Sequence, residues 1–167
     1  GSIVSSVLNP VLYLTALGVG LGKLVNRGNT LGMPYIDFVA PGMLAVVAMQ
    51  IGTFESSYPV MASIRWTRVY HAILATPLRI RDIVLGHLLY VASRVGTAAA
   101  VYLAALVAFG AIHSPWAVLA WPVAVLLGLS FAAPISAFSA WLKNEEGFNA
   151  LFRFGIPPLF LFSGTFF

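Results

Sequence analysis

Ionisable side chains fall in short segments of this chain, and the runs between them are long enough to cross a bilayer. No charge occurs from Ile3 to Gly22. A hydrocarbon core about 30 Å thick takes roughly 20 helical residues at 1.5 Å per residue. On that measure five spans are expected, at about 3–25, 38–61, 83–109, 117–141 and 154–167, the last incomplete. Glu55 interrupts the second and Arg94 the third. Charged residues make up 8% of the 167 residues, against about 25% in soluble domains, so an ordinary soluble enzyme and a disordered chain are both excluded. The fold class expected is an all-α polytopic membrane protein. The sequence opens inside one apolar run without a start Met and closes inside another at Phe166-Phe167, and reads as part of a longer protein.

The net charge of +4 matters through its placement. The segment 63–82 carries Arg65, Arg68, Arg79 and Arg81, and the segment 142–153 carries Lys143 and Arg153. On the alternate side, Lys23 and Arg27 follow span one, and the turn His113-Ser114-Pro115 has no Lys or Arg. Cytoplasmic loops hold the Lys/Arg excess, which predicts a multi-pass protein of the plasma (inner) membrane with 63–82 and 142–153 in the cytoplasm. The charge is accounted for by topology and lipid, and no nucleic-acid partner is expected. The absence of cysteine removes disulfides, thiolate metal sites and cysteine nucleophiles together.

Several patterns that suggest chemistry fail on inspection. Gly18, Gly20 and Gly22 lead into Lys23, but Leu17 stands where a phosphate-binding loop needs glycine and Leu24 where it needs Ser or Thr. Lys23 likewise occupies the third glycine position of a dinucleotide fingerprint. These glycines suit close helix packing, and nucleotide-driven work is assigned to another polypeptide. His71, His87 and His113 do not fall at metal-ligand spacing, and adjacent Glu145 and Glu146 point apart on a helix. Ser163-Gly164 lacks a nearby base for a nucleophilic serine and reads instead as a small-residue bend. Tyr13, Phe109, Trp116, Trp121, Trp141 and Phe160 suit an interfacial belt, or the walls of a route for an apolar substrate.

Two features remain. Trp66, Val69, Tyr70, Ile73 and Leu74 recur at i, i+3, i+4, i+7 and i+8, with Arg65, Arg68 and Ala72 opposite. The spacing predicts an amphipathic helix along the cytoplasmic face, and two roles fit it: an interfacial helix on anionic headgroups or a docking surface for a cytoplasmic partner. Thr76-Pro77 then reads as the N-cap and first residue of the third span. The second feature is the pair Glu55 and Arg94. An ionisable group in a span is costly and usually faces a partner in the bundle. Antiparallel packing leaves these two about 6 Å apart along the axis, within reach of an arginine stem. A structural ion pair, a substrate or gating contact, and independent snorkelling are the readings.

The sequence resembles the permease subunits of ABC-2 type exporters, in particular the nodulation-factor and daunorubicin-resistance branch. The runs that carry the resemblance are Asn9-Pro10-Val11-Leu12-Tyr13 with Gly18-Val19-Gly20-Leu21-Gly22, and Ala40-Pro41-Gly42-Met43. They continue with Tyr70 to Leu78 (YHAILATPL), Asn144-Glu145-Glu146-Gly147-Phe148-Asn149, and Phe162 to Phe167 (FSGTFF). The resemblance implies six spans, of which five are visible, and a separate ABC ATPase subunit that holds ATP and magnesium. This chain would then need no cofactor of its own and catalyse no covalent chemistry. It implies a second permease copy or a homologous permease, a coupling helix in 63–82 made by Arg65, Trp66, Arg68, Val69, Tyr70, Ile73 and Leu74, and a re-entrant hairpin at Ser163-Gly164. The expected function is export of an amphipathic or lipid-like substrate such as a drug, a lipid or a lipid-linked glycan. A non-transporting scaffold and an intramembrane hydrolase are the alternatives from other classes.

Overall fold

The computed structural model of the chain describes Leu12, residues 35–108, Gly110, Ile112 and residues 114–161. The first expected span, apart from Leu12, and the Ser163-Gly164 bend lie outside the described residues. Among those described there are helices and turns and no strand. The helices are α1 (Tyr35–Ser56), α2 (Tyr58–Met61), α3 (Val69–Leu74), α4 (Ile80–Ala108), α5 (Ala120–Trp141), α6 (Glu146–Ala150) and α7 (Ile156–Leu161). Among the described residues, three helical stretches have the length and apolarity to cross a membrane: Asp37–Trp66, Ile80–Ala108 and Pro115–Trp141.

α1, α4 and α5 pack pairwise around one core. It is built from Val39, Met43, Leu44 and Ala48 of α1, Val91, Val95, Ala99, Tyr102 and Leu106 of α4, and Ala124 and Ala132 of α5. Their spacing of three and four residues keeps each set on one helical face. Lipid offers no hydrophobic drive for helix association, so small residues that allow close van der Waals approach decide the contact. A methyl at Gly52 would overlap the carbonyl oxygen of Gly128, and one at Gly128 would lie 2.7 Å from Cγ2 of Val95. The backbones of α1 and α5 therefore touch at Gly52 and Gly128, with Ala48 and Ala124 one turn away.

Prolines set the irregularities. Pro41 in α1 and Pro134 in α5 each remove an intrahelical N–H. Beside Pro41, the buried Tyr102 hydroxyl donates to the Ala40 carbonyl at 3.0 Å. Pro59 ends α1: Ser57 takes φ −91°, ψ −98°, and a separate turn, α2, begins at Tyr58. The helical path then widens into a π-type turn over Ala62–Trp66.

Three local expectations are corrected. The amphipathic helix expected through Trp66 and Tyr70 is broken at Thr67-Arg68. The Thr67 N–H and hydroxyl both reach the Ala62 carbonyl, at 2.9 and 3.1 Å, closing the preceding turn, and Arg68 adopts the left-handed conformation, φ 52°. A short polar side chain competing for the backbone in this way is a common helix stop. Thr76 does not cap the third span: its hydroxyl donates to Ile73 O, and α4 begins at Ile80, where Asp82 accepts from the Arg79 N–H at 2.8 Å as the acidic half of a capping box. Finally, the charged segment expected to reach Arg153 before span five is helical from Glu146 onward, through a π-type turn at Leu151–Gly155 into α7.

Candidate functional site

Two constellations adjoin the break at Ser57. The first is polar and lies within the bundle. Glu55, on the last turn of α1, meets Arg94 of α4: Nη2 and Nε of Arg94 donate to Oε1 at 3.1 and 3.2 Å, and the Tyr90 hydroxyl donates to Oε2 at 3.3 Å. The two side chains are only 15% and 21% exposed. Antiparallel packing of α1 and α4 brings them together, and the Arg94 stem covers the axial offset. Tyr90, one turn before Arg94, completes the carboxylate's shell and was not singled out by the sequence reading, although its i−4 spacing was the available signal.

The same end of α1 carries more buried polarity. Ser56 and Ser57 are fully buried, and Thr53 and Ser139 nearly so. The Ser56 hydroxyl lies 3.2 Å from Nε2 of His87. Ser139 Oγ lies 2.8 Å from the Ser56 carbonyl and 2.7 Å from that of Ile135, its single proton shared between α1 and its own helix α5. The Ser57 hydroxyl donates to Phe54 O. Among the described residues, the Thr53 hydroxyl has no hydrogen-bond partner. Hydroxyls that bond to backbone carbonyls suit a helix end broken by proline, where intrahelical donors are missing.

The second constellation is the connecting segment. Arg65 is exposed and directs Nε to the Leu142 carbonyl at 3.1 Å. This contact places segments 63–82 and 142–153 at one end of the molecule, α1 and α5 running toward it and α4 away. Trp66 and Val69 are exposed, at 58% and 46%. Tyr70 and Leu74 instead line a cavity with His71, and Ile73 is half-buried. The single apolar face expected of Trp66, Tyr70 and Ile73 is thus divided, because the break at Arg68 rotates α3 relative to Trp66. Burial pushes the Tyr70 phenol above its ordinary value, with a Ser63 hydrogen bond opposing the shift. Arg68 is exposed beside Trp66.

An aromatic cluster missed at the sequence level ties the start of the fifth span to this region. Phe54 and Phe152 stack at 5.2 Å, Tyr58 meets Phe148 at 4.7 Å, and Phe138 closes on Phe148 edge-on at 6.4 Å. Phe148 is fully buried. The signal was the i, i+4 spacing of Phe54 with Tyr58 and of Phe148 with Phe152. Trp121, assigned to the interfacial belt, packs its ring on Gly96 and donates Nε1–H to the Gly96 carbonyl at 2.8 Å; Trp116 and Trp141 are exposed, at 74% and 78%. Among the described residues no group of His, Asp or Glu is arranged to hold a metal ion.

The sequence model of the ABC-2 type transporter family matches residues 1–167. Nodulation protein J of Rhizobium meliloti (strain 1021) is 37% identical over 99% of this chain and 63% of its own length. Nodulation protein J of Rhizobium leguminosarum bv. trifolii is 34% identical, and that of Sinorhizobium fredii (strain NBRC 101917 / NGR234) 32%, over the same shares of each chain. The chain therefore spans 63% of the length of these curated relatives. No solved structure matches. With a family match along its whole length and helices fit to cross a bilayer, this chain belongs to the ABC-2 type transporters, as part of their membrane-spanning component.

Proposed function

We propose that the chain is the core of a permease subunit in an ATP-driven exporter of the plasma membrane. A separate ABC ATPase subunit binds ATP and magnesium, and a second permease, identical or homologous, completes the pathway for an amphipathic or lipid-like substrate. The observation that carries this reading, beside family membership, is the exposed Trp66 and Val69 at the break between two spans. Both belong to a segment joined to α5 through Arg65 and Leu142. A motion imposed on Trp66 would pass directly to the end of α1 through the turn at 62–66 and to α5 through the Arg65 hydrogen bond. Segments 63–82 and 142–153 face the cytoplasm in this reading, and the Glu55–Arg94 pair holds α1 and α4 together above the moving part.

Trp66 serves as the apolar anchor in the ATPase, with Val69 beside it and Arg68 at the rim. Buried aromatic anchors dominate such contacts and rim charges tune association. In the full-length permease, Trp66→Ala is expected to weaken ATPase binding by about 2 kcal/mol and to abolish ATP-dependent accumulation of amphipathic substrate in inverted vesicles. Retained ATPase binding with reduced affinity for anionic vesicles would identify the segment as an interfacial helix instead. Export that is absent with an intact, ATPase-bound wild-type complex would favour a scaffold.

A further inference from the structure

A cavity of about 380 Å³ lies between the connecting segment, the first turns of α4 and the last turns of α5. Its size falls at the lower end of the range for ligand sites. The walls are almost wholly apolar. Leu74, Ile80 and Val84 line it although they are 43%, 67% and 46% exposed, and Ala133, Ala137 and Ala140 of α5 leave its far wall low. It sits at the ends of two helices that are long and apolar enough to cross a membrane. His71 stands in the wall on the connecting segment, and exposed Arg79 and Arg81 flank Ile80. Of the acids on the adjoining helices, Asp82 accepts from the Arg79 backbone N–H, and Glu55 is paired with Arg94.

We infer that this cavity holds one acyl chain of an anionic phospholipid of the surrounding bilayer, its phosphate at the rim near Arg79, Arg81 and His71. Apolar walls open at the membrane boundary suit an alkyl chain, and basic groups between spans on that side attract anionic headgroups. Two of the walls, α4 and α5, are parts that the connecting segment would move past, so an occupied cavity wedges α3 against them. Lipid composition would thereby set the position of the segment that carries Trp66. The inference needs only that α4 and α5 cross a bilayer, and it does not depend on export.

The test uses the full-length protein in phosphatidylcholine vesicles containing a small fraction of phosphatidylglycerol with a photoactivatable diazirine on one acyl chain. Peptide mapping is expected to concentrate label on 80–88 and 133–140. Ala137→Trp, which fills the cavity from α5, should lower that labelling at least fivefold; Ala140→Phe on the same wall serves if the first variant fails to insert. Val123→Trp, exposed on α5 outside the cavity, should leave it unchanged. Arg79→Gln with Arg81→Gln should erase the preference over a phosphatidylcholine probe carrying the same chain. Label spread evenly over the exposed faces of α4 and α5, or undiminished in the filled variant, overturns the inference. So does a cavity wall free of label, the result expected where another protein segment sits there.

Discussion

At the scale of single residues, Glu55 and Arg94 show how much chemistry a membrane interior concentrates in one contact. Nε and Nη2 of Arg94 both donate to Oε1, and Tyr90 serves Oε2, so both oxygens of a largely buried carboxylate are satisfied. Removing one partner takes from the other the opposite charge that it faces. Glu55→Gln or Arg94→Gln alone is expected to cost about 3 kcal/mol, and the double substitution less than the sum of the two. Thermal unfolding of the purified full-length protein gives the comparison, and additive losses would show that the two groups act independently. A double variant that is stable yet inactive in transport would assign the pair to substrate or gating. The pair was legible beforehand because two isolated ionisable residues in adjacent apolar runs have few alternatives to each other. The surrounding Ser56, Ser57, Ser139 and His87 were not, since serine in a span is unremarkable until the helix it bonds to is known.

Elements differ in how far their packing tolerates change, and two glycines separate the cases. Gly52 is pressed on the backbone of Gly128, where nothing flexible can give way, whereas Gly86 has open space at its Cβ position. Gly52→Ala is expected to destabilise by about 2 kcal/mol, by forcing α1 and α5 apart. Gly86→Ala should stabilise by up to about 1 kcal/mol, since it removes backbone freedom from the unfolded chain without a clash. Denaturation of the two variants side by side measures the contrast; equal effects would mean that the α1–α5 contact is looser than described. The connecting segment has a different weakness. Its expected helix depended on periodicity alone, and that pattern ran unbroken across Arg68. Local hydrogen bonding at Thr67 ended the helix there, and hydrophobic spacing carries no information about such a stop.

For the whole molecule, the contact of Arg65 with Leu142 fixes which ends of the spans lie together, and the distribution of Lys and Arg chooses which side of the membrane they face. The 167 residues include no cysteine, so cysteines introduced singly among them report accessibility cleanly. Those at Asn29 and Ser114 should react with a membrane-impermeant thiol reagent in intact cells, and those at Thr67 and Asn144 only after permeabilisation. The reverse pattern would place the connecting segment outside the cell, and no ATP-driven subunit would reach Trp66.

Length and charge spacing in the sequence by themselves determined the all-α class, the three apolar helices found among the described residues and the meeting of segments 63–82 and 142–153 at one end. Each of these follows from the bilayer: its thickness sets the run length, and its low polarity bars isolated charges. Residue order along the runs was enough to suggest the family and the partner of Glu55. Only the tertiary structure decided where helices break, as at Ser57 and Arg68, because proline and short polar side chains act through specific carbonyls. It alone brought Gly52 onto Gly128, gathered Phe54, Tyr58, Phe148 and Phe152, and turned Tyr70 and Leu74 away from Trp66 into a cavity. Contacts of that kind depend on helix rotation and on partners distant in the chain, and one-dimensional periodicity leaves both undetermined.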